Sequence, residues 1–84
     1  MAIHQILAAI VAEHGARREQ NGGVLMRRNA DDRIAEITKH LGDAWAGSDL
    51  REQMLKVAAT AIEAIEQHDL LEAQQAAFYA NVAE

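Results

Sequence analysis

Apolar residues recur at helical spacing along almost the whole chain, and the densest pattern lies in residues 33–67, RIAEITKHLGDAWAGSDLREQMLKVAATAIEAIEQ. Ile34, Ile37, Leu41 and Ala44/Trp45 form one stripe, and Met54, Val57, Ala58, Ala61, Ile62 and Ile65 form another. Stripes of period 3.6 mark helix faces that need burial. Between them Gly47, Ser48 and Asp49 make a short turn, so the two helices are expected to be antiparallel neighbours. Asn29 is a good N-cap for the first, with Asp31 and Asp32 favouring the positive end of its dipole. Gly47 is a natural terminator, and Asp49 with Glu52 makes a capping box for the second.

On either side the patterns are weaker. Ile3, Ile6/Leu7, Ile10 and Val11 predict a helix over about 2–18, with Arg17 and Arg18 suited to its negative end. Asn21, Gly22 and Gly23 signal a turn, followed by Val24, Leu25 and Met26 on a loop that either plugs the end of a bundle or forms a flap or a contact to another subunit. Asp69 and Glu72 form a second capping box, which predicts a fourth helix over 70–82 carrying Leu71, Gln74/Gln75, Phe78 and Val82. That helix either completes the bundle or packs on a second subunit. The expectation is one all-α domain over 1–84, with helices at about 2–18, 29–46, 49–67 and 70–82 and the middle two as its central pair.

Length and charge restrict the partners. Eighty-four residues build only a modest core, and with no cysteine there is no disulfide to reinforce it. A homo-oligomer, dimer or tetramer, is therefore expected. The net charge of −5 argues against DNA or RNA as a partner, because phosphate contacts dominate such affinity. No apolar run approaches the ~20 residues of a membrane span. His4, Glu13 and His14 interrupt the first apolar segment, so no signal peptide is read there and a cytoplasmic protein is expected.

Catalytic motifs are scarce. Ser48 is the one serine, explained by its place in the turn, and no glycine-rich phosphate loop follows a strand. Trp45 reads as a core or interface residue rather than a base-stacking platform. The polar residues beside the two central stripes stand out: Glu36, Lys39, His40 and Asp43 on one, Glu52, Gln53 and Lys56 on the other. A helical hairpin brings these two sets near one another.

The segment RIAEITKHLGD, a short turn, then LREQMLKVAATAIEAIEQ, resembles the all-α nucleoside triphosphate pyrophosphohydrolases of the MazG-like superfamily. Many members carry R-x-A-x-x-x-E-E-x-G-E, a turn, and L-R-E-E-L-x-x-V-A-A before an alanine-rich helix. The resemblance implies a dimeric or tetrameric helical protein that splits (d)NTPs to the monophosphate and pyrophosphate with Mg²⁺. Its metal would be held by a Glu pair and a third Glu on one helix, then a Glu and an Asp on the next. Here the Glu pair falls on Lys39 and His40, and the third Glu on Asp43. The Glu of the second helix falls on Gln53, and its Asp on Lys56. Two ammonium groups stand where a cation belongs, so the family's metal chemistry is expected to be lost.

Three expectations follow. The chain is a non-catalytic MazG-like helical protein acting through self-association and partner or nucleotide binding, with no cofactor; the alternative is a divergent (d)NTP pyrophosphohydrolase using Mg²⁺ or Mn²⁺. The family-equivalent positions Lys39, His40, Asp43, Gln53 and Lys56 are the candidate ligand site, and Arg27 or Arg28 would join Lys39 and Lys56 around a phosphate. A relocated Zn²⁺ or Mn²⁺ site would use Glu36, His40 and Asp43, at i, i+4 and i+7, together with Glu52.

Overall fold

The computed structural model describes residues 2–23 and 29–82. The expected roles of Val24, Leu25 and Met26, and of Arg27 and Arg28, lie outside these. The described residues form three helices, α1 (Ala2–Gln20), α2 (Ala30–Trp45) and α3 (Leu50–Val82), with no strand among them. No helix among the described residues is long and apolar enough to cross a membrane.

Local chemistry sets most of the boundaries. α1 ends in a left-handed turn at Gly22 and Gly23 (φ 69° and 78°), where Gly23 N–H donates to the Arg18 carbonyl at 2.8 Å. A residue with a Cβ pays a steric penalty in that region, and glycine does not. α2 starts where Asn29 Oδ1 accepts a bond from Asp31 N–H at 2.8 Å. It stops at Gly47, whose φ of 111° likewise suits glycine. Asp49 Oδ1 accepts from Glu52 N–H at 2.8 Å and caps α3.

The expected break between 67 and 70 is absent. α3 runs unbroken for 33 residues, so the third and fourth predicted helices are one. No Gly or Pro lies between Gln67 and Leu70 to force an interruption. Keeping Asp69 within a helix costs at most ~0.7 kcal/mol, less than nucleating a new helix. The Asp69 carboxylate also meets its neighbour: His68 Nδ1 lies 3.4 Å from Asp69 Oδ1, and His68 Nε2 lies 3.8 Å from Glu72. At about 1.5 Å per residue α3 is about 50 Å long. It sets the long axis of a molecule measuring 55 × 28 × 25 Å.

Side-chain bonds give the helix directions. Between α2 and α3 the partners run in opposite senses: Arg33 meets Glu63 and Gln67, and His40 meets Gln53. Between α1 and α3 they run in the same sense: Ile6 and Ile10 border Leu50 and Met54, whereas Arg17 and Arg18 meet Glu63 and Glu66. The arrangement is up-down-up around α3, which packs against both other helices.

The interior departs from the expected one. Ala59 is the one fully buried apolar side chain among the described residues; the other buried ones are the polar or charged Arg33, His40, Gln53, Thr60 and Glu63. Ile34, Leu41 and Trp45, three members of the stripe predicted to face inward, are exposed, Trp45 at 94%. α2 is rotated so that Arg33, Glu36/Ile37, His40 and Ala44 turn towards the neighbours. In this orientation the buried Arg33 guanidinium has a carboxylate on α3, so its charge is paired. Thr60 donates to the Lys56 carbonyl within its own helix at 2.8 Å, which satisfies its hydroxyl.

Candidate functional site

The three helices converge on Glu63. One α1 residue, Arg17, donates from Nε to Glu63 Oε1 at 2.9 Å and from Nη2 to Glu36 Oε1 at 3.0 Å. On α2, Arg33 donates from Nη1 to Glu63 Oε2 at 2.8 Å and from Nη2 to Gln67 Oε1 at 3.1 Å. Arg33 is 1% exposed and Glu63 7%. Burial alone would push the Glu63 carboxyl up, but hydrogen bonds and charge from Arg17, with those of Arg33, outweigh it and hold the group below its ordinary value. Hydrogen bonding to Glu63, opposed by burial, likewise raises the Arg17 guanidinium. One carboxylate thus ties both other helices to α3.

A second node joins α2 to α3 nearer the turn. His40 Nδ1 lies 2.9 Å from Gln53 Oε1, and both side chains are buried. Since an amide oxygen only accepts, Nδ1 carries the proton in this pair. His40 Nε2 is 3.7 Å from Glu36 Oε1, one turn earlier on α2. A third node fixes the end of α1: Arg18 donates to Glu66 Oε2 at 2.6 Å, and His14 Nε2 is 3.0 Å from Glu66 Oε1.

Of the five family-equivalent positions, His40 and Gln53 meet across the hairpin. The other three are paired along their own helices. Lys39 Nζ lies 4.0 Å from Asp43, and Lys56 Nζ lies 3.5 Å from Glu52, both with substantial exposure. Exposed pairs of this kind contribute only a few tenths of a kcal/mol.

The relocated metal set does not assemble. Glu36 and His40 are neighbours, but among the described residues the set with three ligand atoms mutually within 4.8 Å is His68, Asp69 and Glu72, all exposed. The residues present do not fit the family's Mg²⁺ centre either. Lysines hold two ligand positions, and the nearest interior carboxylates, Glu36 and Glu63, accept bonds from arginines.

The residues that matter most to this interior were only partly marked in the sequence. Arg33 opens the family-like motif and Arg17 forms a basic pair with Arg18 at the end of a helix, while Glu63 and Gln67 carry no signal in the sequence. A usable one existed: Arg33, Glu36 and His40 share a helix face with Ile37, and charge on an inward face requires a partner. Searches against protein-family models, curated proteins and solved structures find no match to this chain.

Proposed function

We propose that this chain is a non-catalytic helical protein of MazG-like architecture that acts by self-association, as a dimer or tetramer in the cytoplasm. The observation that carries the proposal is an inverted distribution of side chains. Fourteen large apolar residues among those described are exposed, while a single apolar residue is fully buried. Exposed apolar surface on this scale marks an interaction site. The loss of chemistry is supported by the site geometry: Lys39 and Lys56 lie beside Asp43 and Glu52, and arginines occupy Glu36 and Glu63.

Two measurements test the two halves of the proposal. Sedimentation equilibrium is expected to give a mass at least twice that of the 84-residue chain. A monomer at every concentration overturns self-association. Incubation with each (d)NTP and Mg²⁺ or Mn²⁺ is expected to release no pyrophosphate. Sustained release that disappears in Asp43→Ala favours the divergent pyrophosphohydrolase instead.

A further inference from the structure

From residue 68 onward every described residue of α3 is exposed. These fifteen residues span about 22 Å, and of them His68 and Leu71 border α2 across a groove. A helix this short is marginal in water without tertiary support. The segment carries Leu70, Leu71, Phe78, Tyr79 and Val82 at exposures between 44% and 68%.

The spacing of this surface is regular. Ala64, His68, Leu71, Gln75, Phe78 and Val82 follow one another at intervals of 4, 3, 4, 3 and 4 residues, the a/d seam of a coiled coil. The seam begins inside a groove of about 270 Å³ between α2 and α3, which Ala64, His68 and Leu71 line together with Ile34 and Ile37. Seam and groove form one continuous track, apolar except at His68 and Gln75, with Ala64 beside the bundle and the other five seam positions on the overhang.

Resting on the self-association reading, we propose that two copies of this chain exchange overhangs: residues 64–82 of each copy pair antiparallel, and the end of one helix fills the α2–α3 groove of the other. Antiparallel seams set an a residue against a d residue. That places Leu71 against Gln75 of the second copy, Phe78 against its His68, and Val82 against its Ala64. The register is closed under a two-fold axis, giving six layers over about 28 Å. A parallel pair would leave the groove unfilled and set two bundles, each 28 × 25 Å across, side by side at one level.

Charge is compatible with the same occupant. Residues 73–82 carry no formal charge, while the whole chain carries −5. Two copies therefore meet at least electrostatic cost through their overhangs, and an ionic partner finds nothing there to pair with. The one like-charge encounter is Glu72 near Glu72 of the second copy, each beside its own His68 at 3.8 Å.

The chain has no cysteine, so engineered disulfides report the register directly. Full-length Ala64→Cys and Val82→Cys variants, mixed and oxidised, are expected to form a mixed dimer, while Val82→Cys alone stays uncrosslinked. Sedimentation equilibrium should show Phe78→Glu weakening the dimer about 30-fold or more, the effect of removing an interface anchor. Glu72→Gln should tighten it about 2- to 5-fold. A wild-type dimer that survives Phe78→Glu and gives no mixed disulfide overturns the exchange but leaves self-association standing. The overhang would then be covered by another segment or another protein. Crosslinking of Val82→Cys to itself overturns the antiparallel register. A wild-type monomer overturns both readings.

Discussion

The two halves of α3 share one backbone and differ in almost everything else. Residues 50–67 hold buried Gln53, Ala59, Thr60 and Glu63 and receive each of the bonds described above that α1 and α2 make to α3. Residues 68–82 bury nothing. The first half is specified by polar pairing and the second by apolar spacing. Burying ions inside a small protein adds little net stability, because desolvation cancels much of the attraction, but it fixes which residues face one another. Apolar spacing supplies affinity with less discrimination. One helix therefore combines an internally specified half with a half whose partner lies elsewhere.

The sharpest way to break the contrast is Glu63→Ala. It removes the carboxylate that Arg17 and Arg33 share, leaving Arg17 with Glu36 and Arg33 with Gln67, and breaking a buried ion pair from one side costs about 3–5 kcal/mol. Urea unfolding should show the loss as a lower midpoint. A loss under 1 kcal/mol would mean that Glu63 does not tie the helices together.

Acid tests the same residue without a mutation. The Glu63 carboxyl titrates below its ordinary value of 4.5 in the folded state. Its contribution is therefore fully present above pH 4.5 and fades as pH falls through the lower folded value. Wild-type melting temperature should drop more steeply over that interval than that of Glu63→Gln. Parallel curves would assign the acid transition to other groups.

Gln53→Ala comes next. It leaves His40 Nδ1–H buried without its 2.9 Å acceptor, a penalty of about 1–3 kcal/mol. Ala76→Gly on the overhang should reduce helicity by circular dichroism, at about 1 kcal/mol of helix propensity. By contrast with Gln53→Ala, it should act mainly on association. At the far end of α2, Trp45→Ala should change stability by less than about 0.5 kcal/mol, because the indole is 94% exposed.

The legible features were the local ones. Asn29, Gly47 and Asp49 mark helix ends through bonds to residues two to four positions away, and a sequence displays such neighbours directly. Asp69 and Glu72 show the limit of that logic. The same box is compatible with a helix interior when nothing interrupts the chain before it. The inward face of α2 is illegible in the sequence for a different reason. Periodicity ranks Ile34 above Arg33, and only the distant Glu63 reverses the order. At the candidate site, Lys39–Asp43 and Glu52–Lys56 were readable as neighbours on their own helices. The His40–Gln53 bond depended on how the hairpin closes.

The sense in which α1 lies along α3 carries a consequence for how the chain acquires its shape. The α2–α3 bonds join residues 13 to 34 positions apart, whereas the α1–α3 bonds Arg17–Glu63 and Arg18–Glu66 span 46 and 48. Shorter loops close at lower entropic cost. This implies an order of assembly, a hypothesis in which the hairpin nucleates and α1 docks last onto a carboxylate already held by Arg33. Its kinetic signature is a higher φ-value at His40 than at Arg17, and the reverse order of φ-values would reject it.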